Sequence, residues 1–364
     1  MKNSSDITFF QNHSQQFKPL VSIIKQIQNA THATEIFELK KQLPPLINNL
    51  LAYGINTYHI THILTIITDN ITKRFLDLAQ KKLGPAPTKF VFLALGSEGR
   101  QEQTFKADQD NALIFSDVPK ESLAQTKKYF LALSKQVCAW LHEVGYTYCK
   151  GRIMAKNPKW CQPMSVWKNY FQTWIKEADA KSLLDITIFF DFRAIAGDQK
   201  LATQLQQYVA QLTQNQAPFF LHLAKNCLNL KPPIGLFKNI LVEHQGKHKK
   251  EFSLKKALMG IVAFARIYAL KHHIQKTNTQ ERLEILFTQK LLPKSDEQEL
   301  LQAYDYLMKI RLAHQIELLT QQHKPDNYLN PKELTVLEQQ ILKDIFTAIT
   351  NLQTKLSLDF TGTT

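Results

Sequence analysis

Two aspartates separated by one residue, Asp108-Gln109-Asp110, stand a dozen positions after a Gly96-Ser97 pair in the stretch LALGSEGRQEQTFKADQDNALIF (93–115). On an extended strand successive side chains alternate, so Asp108 and Asp110 are expected to share a face. Carboxylates held side by side repel unless a cation lies between them. Hard divalent ions take such oxygen ligands, and Mg2+ (or Mn2+) typically uses one or two carboxylates together with substrate phosphates. Gly96 has no side chain to keep a ligand from the backbone. Ser97 opens what reads as a helix, SEGRQEQ, whose first N–H groups and dipole suit phosphate. Arg100 adds a cation one turn on. With Asn111 beside the aspartates, the candidate nucleotide-binding set is Gly96, Ser97, Arg100 and Asn111, and the candidate metal ligands are Asp108 and Asp110.

A Gly-Ser turn is common, and two aspartates near a turn are usually solvated caps. The order strand, Gly-Ser, helix, then D-x-D on a second strand is far more specific. The surrounding elements supply that order. FVFLAL (90–95) is a short apolar run bounded by breakers, the profile of a buried strand, and NALIF (111–115) reads as a second. Residues 121–144 have helical spacing, TYCKGRIM (147–154) reads as a third strand, and DITIFFDFRAI (185–195) as a strand or a buried helix. Upstream, LVSIIKQI, EIFELKKQL, LINNLLAYGI and THILTIITDNITKRFLDLA carry apolar residues at three- and four-residue spacing, until Gly84-Pro85-Ala86-Pro87 breaks the pattern. From Leu201 onward only helical texture remains, with Pro331 placed to start the last helix. The expected fold is α+β: a helical region over 1–88, a small mixed-sheet core over 89–200, and a helical domain over 201–364. Trp160, Trp167, Tyr170, Phe171 and Trp174 follow helical spacing and are expected to be core.

This order of elements is the pattern of DNA polymerase β-type nucleotidyltransferases. The string GSEGRQEQ…DQDNALI resembles a bacterial group of nucleotidyltransferases related to the PII-protein uridylyltransferases. The likeness continues through GYTYCKGRIMAKNPKWCQPMSVW (145–167), IFFDFRAIAGD (188–198), PPIGLF (232–237), ARIYAL (265–270) and RLAHQ (311–315). It implies Mg2+-dependent transfer of a nucleoside monophosphate from an NTP, with pyrophosphate leaving, to an acceptor protein or a small molecule, and a place in signal transduction. It also implies a third carboxylate that completes the catalytic set. Asp191 is the choice, Asp185 the other candidate, and an ion pair of Asp191 with Arg193 or Arg266 the alternative. Asp198 reads as a helix N-cap. Arg311, His314 and Gln315 share a helix face and would either contact base or acceptor or form an internal hydrogen-bonded network. Members of the group carry acids in DLK and PIVD segments where this chain has Ser253-Leu254-Lys255 and Gly260-Ile261-Val262-Ala263, which implies a different acceptor or reduced activity. CBS and cyclic-nucleotide sensor modules, and a His-Asp hydrolase domain, have no counterpart in the sequence.

Composition sets the outer limits. The 364 residues are 44% hydrophobic, enough for a sizeable core, and carry a formal charge of +14, which favours anionic partners: nucleotides, nucleic acid or acidic proteins. An RNA-directed transferase and a catalytically weak nucleotide-binding regulator are the rival readings. Four cysteines, Cys138, Cys149, Cys161 and Cys227, lack metal-finger or CxxC spacing and read as reduced thiols of a cytoplasmic protein. No apolar run reaches the length of a membrane span, since Gly260 to Leu270 carries Arg266 in its middle. The Lys-rich segment 246–256 reads as a solvated basic loop.

Overall fold

The structure is a computed structural model that describes residues 14–177 and 186–362. Four helices come first: α1 (Ser14–Asn29), α2 (Ala33–Lys41), α3 (Leu43–Ala52) and α4 (Thr57–Leu83). In α4 the stripe Ile60, Ile63, Ile67, Ile71 and Phe75 is buried, Asn56 caps the start by accepting from the His59 N–H, and Gly84 at φ +85° ends it. Pro44-Pro45 falls in the first turn of α3, where missing N–H donors cost nothing.

The core follows: β1 (Phe90–Ala94), a one-turn helix α5 (Gly96–Gly99), β2 (Asp108–Gln109), β3 (Asn111–Phe115), α6 (Lys120–Glu143), β4 (Thr147–Tyr148), β5 (Cys161–Pro163), α7 (Met164–Lys176) and β6 (Arg193–Gly197). Four strands form one mixed sheet in the order β5-β3-β1-β6, with β1 antiparallel to β3 and β6 and with β3 parallel to β5. The rest is mainly helical: α8 (Gln199–Leu212), α9 (Ala217–Leu228), β7 (Phe252–Ser253), α10 (Leu254–Lys271), α11 (Thr279–Thr288), α12 (Glu297–Thr320), β8 (Tyr328–Leu329) and α13 (Val336–Thr361). The fold is α+β, as the sequence pattern predicts.

The sheet is the wall between two hydrophobic cores. Phe90, Phe92, Leu113 and Phe115 face α4 and α6, while Val91, Leu93, Leu95, Ala112 and Ile114 face α7 and the C-terminal helices. A strand buried on both faces has no polar positions to alternate, which is why FVFLAL is uninterruptedly apolar. The aromatic set behaves as core, with Trp160 and Phe189 rings 4.3 Å apart and Trp167 buried against both.

Three local expectations need correction. The 185–195 segment is neither a full strand nor a buried α-helix: Thr187–Phe190 is a 3-10 turn and only Arg193–Gly197 pairs, while Asp185 lies outside the described residues. The 147–154 segment pairs only at Thr147–Tyr148, because a turn closed by the Arg152 N–H donating to the Cys149 carbonyl follows. Pro331 begins a separate 3-10 turn, and the last helix starts at Val336 behind a Thr335–Glu338 capping box.

One glycine fixes how closely these parts meet. A Cβ on Gly99 would sit 1.9 Å from the Asp191 carbonyl oxygen and 3.0 Å from that of Ala94, both backbone atoms. Gly99→Ala is therefore expected to cost about 1–3 kcal/mol, the range for a forced methyl in a packed interior, read as a lowered denaturation midpoint. A midpoint equal to wild type would mean this junction is loose.

Candidate active site

The site is built where β1 ends. The Leu95 N–H donates to the Asp110 carbonyl at 2.8 Å, which sets the Gly96-Ser97 turn beside the aspartates. Gly96 lies at φ +57°, and a Cβ there would meet Ile188 at 3.0 Å and an Asp110 carboxylate oxygen at 3.4 Å, so the turn favours glycine for both backbone and space. The buried Gln109 side chain donates to the carbonyls of Cys138 and Tyr146. With Gln109 anchored inward, alternation turns Asp108 and Asp110 the other way.

Cys149 joins them. β4 runs parallel to β2, pairing Asp108 with Thr147 and Gln109 with Tyr148, so Cys149, the residue after β4, is brought beside Asp110. Asn111 holds the loop that follows: its N–H donates to the Ile153 carbonyl and its Oδ1 accepts from the Ala155 N–H. Ligand atoms of Asp108, Asp110 and Cys149 lie within 4.8 Å of one another. All three residues are half-buried, and the thiol is a hydrogen-bond donor to the Asp110 carboxylate. Burial, and then the Asp108 charge, push the Asp110 carboxyl up to about 7, while burial pushes the Cys149 thiol up to about 11. Asp110 Oδ1 is buried without a hydrogen-bond partner. A buried carboxylate oxygen facing a second carboxylate is stabilised by a cation, so these residues fit a divalent ion.

Asp191 is placed elsewhere than the sequence expectation. It is fully buried, and its Oδ2 accepts from Arg100 at 2.7 Å and from Arg266 at 2.6 and 2.9 Å, while Oδ1 accepts from Arg282 at 2.7 Å. The three guanidiniums overcome burial and hold its carboxyl well below the usual range. It does not belong to the Asp108–Asp110–Cys149 cluster. The ion-pair alternative with Arg266 is what the geometry contains, whereas Arg193 pairs with Asp69 instead. Arg100, expected at a phosphate, spends its guanidinium on Asp191 and Glu102. Asn111, expected at the nucleotide, is buried and serves the loop.

The opposite wall comes from the C-terminal helices. Ser97 and Arg100 line one narrow cleft with Lys255 and Met259 of α10 and with Tyr304 and Arg311 of α12. Lys255 lowers the Asp110 carboxyl and so lies within its field, and Arg311 lies within that of Asp108. Burial brings the Arg311 guanidinium down to about 10. Lys255 was legible only as part of the departure from DLK, and Cys149 had no spacing signal at all. Ser253 caps α10. The Arg311–His314–Gln315 face is a hydrogen-bonded network: Arg311 and Gln315 donate to Asn327, Gln315 accepts from the Lys106 N–H, and His314 meets Asp326. Volume does not mark the site, since neither this narrow cleft nor those of about 650 and 430 Å3 is lined by Asp108 or Asp110.

Behind the turn lies a second polar layer. Glu98 is buried, and burial followed by the Asp69 charge pushes its carboxyl up to about 8, against the pull of Arg193 and Lys40. The Lys40 ammonium stands 3.4 Å from the centre of the Tyr146 ring, and burial lowers it to about 7.

Two family models match the chain. Residues 41–181 match "Putative nucleotidyltransferase DUF294", and residues 217–360 match "Putative nucleotidyltransferase substrate binding domain". Together they span more than three quarters of the sequence. The first contains the aspartate pair, the Gly-Ser turn and Cys149; the second contains Lys255, Arg282 and Arg311. A comparison with curated proteins finds no match. No described helix is long and apolar enough to cross a membrane.

Glu98 gives the site a pH signature. A glutamate in the unfolded chain releases its proton near about pH 4.3, whereas folded Glu98 keeps it up to about 8. Its contribution to stability is complete below the unfolded value and is lost as pH rises through about 8. Glu98→Gln keeps the shape of the neutral acid, so its stability relative to wild type is expected to rise between about pH 5 and about pH 8 in denaturant titrations. A constant difference across that window would contradict the assignment.

Proposed function

The chain belongs to the DUF294 family of nucleotidyltransferases, and from that premise we propose that it transfers a nucleoside monophosphate from an NTP to a protein or small-molecule acceptor, releasing pyrophosphate. The observation that carries this reading is the Asp108–Asp110 pair, with its partnerless buried oxygen, set against the Gly96-Ser97 turn. The two carboxylates would hold a divalent ion, Mg2+ or Mn2+, which when bound would neutralise triphosphate charge and favour attack by the acceptor hydroxyl. Ser97 offers its hydroxyl to the phosphates, and Gly96 leaves them room. Lys255 and Arg311, from the facing wall, add the positive charge that Arg100 cannot give because it is committed to Asp191 and Glu102.

Asp191, in this reading, is a positioning residue. It binds Arg100 behind the turn and Arg266 and Arg282 of the C-terminal helices, and so fixes the two walls of the site against each other. The acceptor approaches from the C-terminal side, where this chain has Ser253 and Ala263 at positions for which the resemblance implies acids. A protein acceptor is the first choice, and the +14 charge makes an acidic one the better electrostatic fit.

Incubation with NTPs labelled at the α-phosphate, Mg2+ or Mn2+ and a cell extract as acceptor source should yield labelled product and pyrophosphate. Asp110→Asn should lower turnover by on the order of a hundredfold or more, as loss of a preorganised charge contact does. Lys255→Ala should lower kcat/KM about tenfold, the worth of one charge-assisted hydrogen bond to phosphate. Near-normal turnover in Asp110→Asn would sink the proposal, and transfer only to added RNA would replace the protein acceptor.

A further inference from the structure

We infer that Cys149 is the third ligand of the metal site, as a thiolate, and that the site therefore selects a first-row transition ion of the Mn2+ to Zn2+ class over Mg2+. The inference rests on the nucleotidyl-transfer reading only for what the ion does, not for its ligands.

Three independent features place the sulfur there. Its Sγ lies within 4.8 Å of a carboxylate oxygen of both Asp108 and Asp110, and among the described residues no other cluster of three such ligands occurs. Asp110, whose carboxylate belongs to this cluster, keeps its Oδ1 buried and without a hydrogen-bond partner. The loop carrying Cys149 is tied down from both sides, by the β2–β4 pairing before it and by Asn111 holding Ile153 and Ala155 after it. Position is thus set by backbone pairing, not by a free side chain settling at random.

The remaining acids have other employment. Asp191 is saturated by three arginines, and Glu102 accepts from Arg100 and from the Thr279 N–H. The remaining cysteines differ as well: Cys138, Cys161 and Cys227 are buried in the packed interior, while Cys149 is half-exposed at the site.

Ligand chemistry then decides between ions. Mg2+ takes hard oxygen ligands in near-ideal octahedra and keeps its waters, so it would use the two carboxylates and leave the thiol protonated. A borderline ion forms a bond to sulfur as the S–H bond breaks, with the proton passing to solvent and the electron pair staying on sulfur. Two carboxylates and a thiolate around a divalent ion leave one net negative charge, which Lys255 and Arg311 on the facing wall offset.

The test uses the full chain and three probes: Cd2+ and Co2+ for the thiolate, Mg2+ for oxygen ligands. Wild type should develop thiolate-to-metal absorption with Cd2+ or Co2+, and the bound ion should slow alkylation of Cys149. Cys149→Ser should lose the absorption and bind Cd2+ at least about tenfold more weakly, with Mg2+ affinity by calorimetry unchanged. Cys149→Asp should move the preference toward Mg2+. Absorption that survives in Cys149→Ser, equal Cd2+ affinity, or alkylation of wild-type Cys149 that the ion does not slow would each overturn the inference. Thiolate absorption without nucleotidyl transfer under any ion would instead overturn the proposed activity and leave the metal site standing.

Discussion

A single buried carboxylate, that of Asp191, joins the two halves of the molecule through three guanidiniums. Arg100 comes from the turn after β1, Arg266 from α10 and Arg282 from α11. Such a cluster is weak support for net stability, because three cations and one anion must all leave water. Its value lies in geometry. Each guanidinium is planar with fixed donor directions, so satisfying both oxygens of Asp191 fixes three elements relative to one another. Around it, Asn278 donates to the Arg100 carbonyl and Thr277 to the Gly99 carbonyl, and Gly99 lets the backbones touch. The Gly96-Ser97 turn is therefore clamped from the rear by the same helices that supply Lys255 at the front.

That arrangement separates structural charge from working charge. The arginines that neutralise Asp191 are occupied by it, and Asp110 keeps a buried oxygen with no hydrogen-bond partner. Burial, and then the Asp108 charge, raise the Asp110 carboxyl to about 7. Glu98, on the rear of the turn, is raised chiefly by burial and stays protonated to about 8. Two acids twelve residues apart are thus raised by the same physics in different settings: Asp110 stands beside Asp108, and Glu98 beside Asp69 and Lys40 of the N-terminal helices.

The parts legible in the sequence were those governed by local rules. Alternation placed Asp108 and Asp110 on one face, the apolar run 90–95 announced a strand buried on both sides, and Asp198 caps α8 through the Lys200 N–H. What the sequence hid depends on contacts far apart in the chain. Asp191 meets Arg100 and Arg282 across 91 residues in either direction, so an acid amid FF-FR looked the same whether its partner was metal or arginine. Asn111 looked like a nucleotide contact because it adjoins Asp110, yet the alternation that turns Asp110 toward the site turns Asn111 away from it. Cys149 reaches the site through a two-residue parallel pairing, too short to leave any periodicity. Lys255 comes from another helix altogether.

The role of Asp191 is where these arguments converge, and Asp191→Asn tests it most directly. Unfolding midpoint and divalent-metal affinity should be measured on the same preparation. Removing one charge from a buried, paired group is expected to cost about 3–5 kcal/mol of stability, while metal affinity at Asp108 and Asp110 stays at the wild-type value. An unchanged midpoint together with weakened metal binding would contradict the account and return Asp191 to the catalytic set.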